Sequence, residues 1–412
     1  MAKKTVADIT FDGRKVLMRC DFNVPLDDDC NITNDARITK ALPTIKYILD
    51  GGGAVILMSH LGRPEGKRND KMSLKPVAER LSELLGKGVI FANDCIGADV
   101  EAKAAQLKSG DVMLLENLRF HEEETIKDKA AKEDAVLREA KDNFAKKLAV
   151  LADIYVDDAF GTAHRDNASM YTVPVIMEGK DRVTGFLIEK ELKFLGETVE
   201  DPEKPFVAIL GGAKVSDKIA VIENLMKKVD RILVGGAMAY TFFKAQGKQV
   251  GKSLCEDDFV EKASELLKQA QEIGCEIVLP VDNVVAKEFK ANAENKVITG
   301  DIEPDWEGLD IGPESRKLFA EKLQGVKTIV WNGPMGVFEL EPFDEGTKAV
   351  AQAVAQATSK GARSIIGGGD SARAIVNMGL EEKVSHISTG GGASLEFLEG
   401  KKFKCLEILD DK

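Results

Sequence analysis

Short apolar runs recur along the whole chain, and many end in Gly, Asn, Asp or Ser. In the first half they predict strands at Val16–Met18, Ala54–Met58, Val89–Phe91, Val112–Leu115 and Ile154–Val156. Between them the apolar positions fall at helical spacing over Asp35–Leu49, Leu74–Leu85 and Lys129–Leu148. The last of these is heavily charged and reads as a solvated helix with one apolar face. The second half repeats the scheme. Strands fit Val207–Leu210, Ile232–Val234, Ile277–Leu279, Thr328–Val330, Ser364–Ile366 and His386–Ile387, and helices fit Glu261–Ile273 and Thr347–Thr358.

Strand–helix alternation of this kind predicts parallel sheets covered by helices on both faces. The best boundary lies near Pro174–Asp181. It is followed by an amphipathic pattern at Phe186–Leu195 and a polar, proline-bearing stretch at Glu200–Pro205. The expected fold is therefore α/β: two doubly wound, Rossmann-like domains, 1–180 and 186–390, joined by a helix, with a cleft between them. In such folds ligands bind beyond the carboxyl ends of strands, so function is expected there.

The length of 412 residues supports two domains, since roughly 100–200 residues per domain is usual. A net charge of −12 argues against nucleic acid or an anionic membrane as the main partner. The six cysteines form no C-x-x-C pair, which argues against a zinc ribbon or a dense disulfide framework. The opening MAKKTVADIT is too polar for a signal peptide, and no run approaches the roughly 18 apolar residues of a membrane span. The N-x-[ST] matches at Asn31 and Asn167 then read as chance, and the cytoplasm is the expected location.

The negative total hides a basic region. Ten of the fourteen arginines precede residue 183. Predicted strand ends carry Arg19–Asn23, Ser59–Arg63, Glu116–Phe120 and Asp158–Arg165, and Arg37 opens the first helix. Arginine presents a planar fork that grips carboxylate or phosphate, so several at one edge predict a small, highly anionic ligand. Any one of them alone would read as a surface residue. His60 and His164 are placed to donate to the same anion. Asp21 and Asn23 fit a ligand that also carries a hydroxyl; alternatively, Asp21 orients an arginine.

Strand ends in the second half carry glycine turns: Gly211–Lys218, Gly235–Gly236, Trp331–Gly336, Gly367–Ser371 and Thr389–Ala393. Glycines let backbone amides approach a phosphate, and a helix starting beyond adds its positive end. Lys214 and Lys218 are four apart and would share a face on a helix. The stretch Gly247–Ser253 resembles a Walker A loop but is one residue short and follows no strand. Gly367–Ala372 fits the dinucleotide pattern G-x-G-x-x-A, yet Asp370 would repel a pyrophosphate unless a divalent ion bridges them. Mg²⁺ held by one carboxylate plus phosphates fits better.

In order and spacing, the segments Arg19–Pro25, Ser59–Pro64, Glu116–Phe120, Asp158–Arg165, Gly211–Lys218, Trp331–Phe338, Gly367–Ser371 and Ser388–Leu395 resemble the motifs of the phosphoglycerate kinase family. The resemblance spans nearly the whole chain. It implies reversible, Mg-dependent phosphoryl transfer between 1,3-bisphosphoglycerate with ADP and 3-phosphoglycerate with ATP, by a monomeric glycolytic enzyme that closes on its substrates. It implies that Asp21, Asn23, Arg37, His60, Leu61, Gly62, Arg63, Arg119 and Arg165 hold the glycerate. The nucleotide would be held by Gly212, Lys218, Gly312, Asn332, Glu339, Gly368, Gly369, Asp370 and Ser371, with Glu339 on the ribose and Asp370 on the metal. Arg37, Lys214, Lys218 and Gly391 would carry catalysis, and residues 391–412 would return to the first domain. The acidic run Glu122–Glu124 and the charged helix after it read as a variable surface element.

The residues also fit this reaction on chemical grounds. In the ATP-consuming direction the nucleophile is a carboxylate, already ionised at neutral pH, so no general base is required. What is needed is alignment and shielding of charge, which Arg37, Lys214 and the amides of Gly390–Gly392 can supply. Two rivals are a silent two-lobed receptor for phosphorylated metabolites and a nicotinamide-dependent dehydrogenase. The first has no need of Lys214, Lys218 and Asp370. The second would need a proton-relaying residue near the hydride.

Overall fold

In the computed structural model, which describes residues 2–197, 199 and 201–412, the apolar runs become parallel strands. The first six are β1 (Lys15–Cys20), β2 (Ala54–Met58), β3 (Ile90–Phe91), β4 (Val112–Leu114), β5 (Ile154–Asp158) and β6 (Arg182–Thr184). They form one sheet in the order β3-β4-β2-β1-β5-β6. Val16, Leu17, Met18 and Arg19 of β1 are all fully buried, so the strand has no solvent face. Val16, Met18, Val55, Leu57, Ile154 and Val156 pack with Ile38, Ile45 and Ile48 of helix Ala36–Asp50 and with Val77 and Leu81 of helix Lys75–Leu85. Each such side chain contributes about 1.5–3 kcal/mol by leaving water. The chain passes from β1 to β2 on one side and returns to β5 on the other, so a topological switch point lies at β1/β5.

The second sheet has the order β15-β14-β13-β7-β8-β9. Its strands are β7 (Phe206–Leu210), β8 (Arg231–Val234), β9 (Glu276–Val278), β13 (Thr328–Asn332), β14 (Arg363–Gly367) and β15 (His386–Ile387). Between β9 and β13 lies a small antiparallel sheet, β11-β10-β12, built from β10 (Asn283–Ala286), β11 (Asn295–Ile298) and β12 (Glu307–Ile311). The core joins Val207, Ile209, Ile329 and Trp331 to Val350 and Val354 of helix Glu345–Ser359. Among the described residues, no helix is long and apolar enough to cross a membrane.

The chain divides into two compact units, 1–192 with 402–412, and 193–401. The segment grouped with the first unit is shorter than the expected 391–412. Gly391–Leu398 is a helix of the second unit, tied there by Asn224 Nδ2 donating to the Leu398 carbonyl at 2.8 Å. In the first unit, Lys3 Nζ donates to the carbonyl of Leu409 at 2.7 Å, and Arg182 pairs with Asp410 at 3.1 Å.

Several local expectations are corrected. The predicted helix Lys129–Leu148 is two helices, Asp128–Glu133 and Ala135–Ala149. Asp134 interrupts it by capping the second, accepting from Val136 N at 2.8 Å and Leu137 N at 3.3 Å. Nor is this region simply a surface element. Lys141 is buried, with its ammonium 2.8 Å from Asp128 and 2.7 Å from the Asp166 carbonyl. Glu124 is fully buried for a reason given below. Phe186–Leu195 begins as the α-helix Phe186–Glu191 and continues as a π-helix, Leu192–Glu197. β6 and the antiparallel sheet were not foreseen.

Candidate active site

The first half of the site gathers at the carboxyl ends of β1, β2, β4 and β5. Arg19, next to last in β1, is fully buried, and its Nη2 lies 3.3 Å from His60 Nδ1. Burial and the charges of Arg19, Arg119, Arg165 and Arg37 hold the His60 pKa well below the ordinary histidine range. Burial, then Arg165, Arg19 and Arg63, lower Arg119 to about 10 against an opposing pull from Glu124. Arg19 and Arg165 act on both His60 and Arg119, which places them in one neighbourhood. Their repulsion favours an anion of high charge.

Short polar contacts set the geometry. Asn23 Oδ1 accepts from Gly62 N at 2.8 Å, and Arg119 donates to the Gly62 carbonyl at 2.7 Å. Arg119 Nε is buried without a hydrogen-bond partner. Leu61 is buried, its amide donating to Asn117 Oδ1 at 3.2 Å, and Arg63 is exposed. Arg37 pairs with Asp21, whose other oxygen accepts from Asn23 N at 3.3 Å. Asp21 thus orients an arginine. Arg37 sits in the first turn of helix Ala36–Asp50, where a cation opposes the helix dipole by about 0.3–1 kcal/mol. Helix stability therefore does not account for its position. At His164, Nε2 accepts from Arg165 Nε at 3.2 Å.

The sequence did not single out the buried carboxylates behind these arginines. Desolvation raises Asp157 and Asp158 to about 7 each. Asp158 Oδ1 accepts from Leu187 N at 2.9 Å and so caps the helix that leaves the unit. Asp158 opens the strand-end motif Asp158–Arg165, Asp157 lies just before it, and no local signal marks either as buried.

The second half of the site gathers at the ends of β7, β13, β14 and β15. Its glycines fall into two kinds. A Cβ on Gly211 would lie 2.0 Å from the Pro334 carbonyl oxygen, and one on Gly333 would lie 2.1 Å from the Gly211 oxygen. These glycines let turns interlock. Gly212, at φ +113°, and Gly369 face open space instead. Gly391 leaves ordinary clearance, 3.4 Å from Gly369 N. Gly312 precedes helix Pro313–Lys322, and a Cβ there would strike the Asp282 carboxylate at 2.2 Å, so its need for glycine is structural.

Lys218 donates to Asn332 Oδ1, while Asn332 Nδ2 is buried without a partner. Burial lowers Lys218 to about 8 against the pull of Asp217, Asp370 and Glu399. Lys214 and Lys218 do not share a helix: the helix begins at Ile219, and Lys214 is exposed in the turn before it. Ser371 Oγ accepts from Gly333 N at 2.6 Å, which fastens the β14 turn to the β13 turn. Arg373, which sequence reasoning missed, reaches Glu339 at 2.8 Å and Asp370 at 3.3 Å and lies over the Phe338 ring. The Asp370 carboxylate is 62% exposed at the start of helix Gly369–Asn377, so it is accessible to a hard cation carrying phosphates.

The family model described as phosphoglycerate kinase matches residues 6–401. A phosphoglycerate kinase of Chloroherpeton thalassium is 56% identical over 412 residues, covering 100% of both chains. That of Thermosipho africanus is 54% identical, covering 100% of this chain and 99% of the other. The solved structure from Coxiella burnetii superposes with a TM-score of 0.86 at 40% identity, and that from Pyrococcus horikoshii with 0.82 at 34%, each covering 98% of both chains. The chain belongs to the phosphoglycerate kinase family, phosphotransferases of glycolysis that act on 3-phosphoglycerate and ATP or ADP.

Proposed function

We propose that the first unit holds 3-phosphoglycerate and the second holds Mg·ATP, and that the γ-phosphoryl passes directly to the glycerate carboxylate. The O–P bond to the carboxylate forms as the bond to the ADP oxygen breaks, giving 1,3-bisphosphoglycerate and ADP. The observation that carries this reading is the buried Arg19 beside His60, with Arg119 held on the Gly62 carbonyl and its Nε buried without a partner, and with the charges of Arg37 and Arg165 acting on His60 and that of Arg63 on Arg119. Such a cluster suits a ligand with a phosphate at one end and a carboxylate at the other.

In this mechanism Arg119, Arg165, Arg63 and His60 bind the glycerate phosphate, and Asp21 and Asn23 meet its hydroxyl. Arg37 leaves Asp21 to meet charge developing on the phosphoryl, joined by Lys214 and the amides at Gly391. Lys218 and Asn332 Nδ2 donate to phosphate oxygens, the open turns at Gly212 and Gly368–Ser371 admit the chain of phosphates, Gly312 lines the nucleoside, and Glu339 takes the ribose. Asp370 would hold Mg²⁺, which would neutralise phosphate charge when bound. Since each ligand has its own unit, transfer requires the units to close, with the joining helix that begins at Phe186 and the turns near it absorbing the rotation. The resemblance extends this to a cytoplasmic monomer with no nucleic-acid or membrane partner.

A coupled assay for ATP-dependent formation of 1,3-bisphosphoglycerate tests the reaction; no turnover with Mg²⁺ and both substrates would sink it. Small-angle scattering tests closure. The radius of gyration is expected to fall with both ligands bound, and an unchanged value would remove hinge motion from the mechanism.

A further inference from the structure

His60 stands at the end of a hydrogen-bond chain that runs away from the ligand side. Arg19 Nη2 meets His60 Nδ1 at 3.3 Å. A guanidinium has no acceptor, so Nδ1 must accept, and the ring proton must sit on Nε2. Arg19 Nε donates to Ser169 Oγ at 2.9 Å. The Ser169 hydroxyl therefore turns its single proton elsewhere, and Glu124 Oε1 lies 2.7 Å away to take it. Glu124 Oε2 accepts from Ser169 N at 2.9 Å, and Asn167 Nδ2 reaches Oε1 at 3.3 Å. Arg19, Ser169 and Glu124 are all fully buried.

Each link has one direction only. Glu124 accepts, Ser169 passes the polarity on, Arg19 donates, and His60 accepts at its inner nitrogen. Glu124 and Arg19 thus form an ion pair relayed through a hydroxyl. Removing Arg19 leaves the buried Glu124 without the cation it reaches through Ser169. The relay also explains why a glutamate within an acidic surface run is buried.

We propose that Glu124, Ser169 and Arg19 are positioning residues that fix the His60 tautomer, so that Nε2–H is offered to the anionic ligand. This rests on the glycerate site proposed above, because only a ligand in the first unit would receive that donor. The charged groups acting on His60 are Arg19, Arg119, Arg165 and Arg37, all cationic, so they reinforce a neutral ring.

The chain has four histidines, so their side-chain nitrogens can be followed by ¹⁵N–¹H correlation in the full-length protein, with His60→Gln identifying the signal. Wild-type His60 is expected to be neutral and Nε2-protonated from pH 6 to 8, roughly the interval in which a free histidine titrates. In Ser169→Ala the signal should shift toward a tautomer mixture or begin to titrate. KM for 3-phosphoglycerate should rise about tenfold, the equivalent of one weakened charge-assisted hydrogen bond, with kcat nearly unchanged. Ser169→Thr keeps the hydroxyl and should restore both readings. An Nδ1–H or imidazolium state in the wild type overturns the relay, as does a Ser169→Ala protein with unaltered signal and KM. Should Ser169→Ala fail to fold, Nε2–H in both wild type and Ser169→Thr supports the relay, and any other state overturns it. If the wild type shows no kinase turnover, the functional reading fails, yet the tautomer still decides the relay.

Discussion

The two halves of the site handle charge in opposite ways. The first unit builds its half from long side chains, with cations concentrated beside buried carboxylates and tied into short polar contacts. The second builds its half from backbone, with open glycine turns at strand ends, one half-buried lysine and an exposed carboxylate. A side-chain pocket is rigid and selective for a small ligand whose charges sit at fixed distances. A backbone pocket follows a flexible chain of phosphates and leaves the rest of the ligand to a few contacts. The difference teaches that residue type alone does not mark a functional position. An arginine is informative here when it is crowded, and a glycine when it is uncrowded.

The sharpest test of the first half is Arg37→Ala. If its unfavourable helix position serves the transition state, kcat should fall about 10²–10³-fold while KM for 3-phosphoglycerate changes much less. The reverse split in steady-state kinetics would make Arg37 a binding residue only. Next in size is a contrast between glycines of the second half. Gly333→Ala places a Cβ 2.1 Å from a carbonyl oxygen at φ +99° and should cost about 3 kcal/mol of stability or more. Gly369→Ala meets nothing, so the protein should fold normally and lose nucleotide affinity instead. Equal melting temperatures for the two variants would erase the distinction between packed and open glycines.

A smaller effect separates the halves by pH. Arg119 is lowered only to about 10, but burial lowers Lys218 to about 8, whereas an unfolded lysine titrates near 10.4. The unliganded protein therefore loses this charge as pH rises through about 8. Below that, the buried charge costs stability; between about 8 and 10.4 the cost is relieved, because the unfolded chain then binds the extra proton. kcat/KM for ATP should decline about tenfold per pH unit above 8, once allowance is made for the substrate's own ionisation. Lys218→Arg should move that decline beyond pH 10, and a decline that stays in place would assign it to another group. Smallest of all is Arg373→Ala. Half-exposed ion pairs are worth about 0–1 kcal/mol, so stability should barely change, and KM for ATP should stay within about threefold. A tenfold rise would show that Arg373 touches the nucleotide.

Strands with sustained apolar runs, such as Ala54–Met58, were legible in the sequence to the residue, because burial on both faces leaves no polar interruption. β6 carries one valine between Arg182 and Thr184, β10 is only four residues long, and β11 and β12 interrupt their apolar residues with Lys296, Glu307 and Asp310, so their pattern does not separate from a loop. Within the site, Arg19, Arg119 and His60 were legible as residue types at strand ends. Their partners were not. Glu124 and Ser169 are 45 residues apart, and Glu124 lies in a charged run where solvent is the ordinary destination. Lys214 was misplaced because spacing of four is informative only inside a helix, and the helix starts later.

The division of the chain has a consequence for how the protein is made. The second unit is one continuous stretch, 193–401, whereas the first needs 402–412 as well as 1–192. During synthesis the unit begun first is therefore completed last. Until then Arg182 lacks Asp410, and the Lys3 ammonium lacks the Leu409 carbonyl that receives it at 2.7 Å. The half of the site made of crowded arginines waits on the ribosome without its final supports, while the glycine-built half already has its whole sequence.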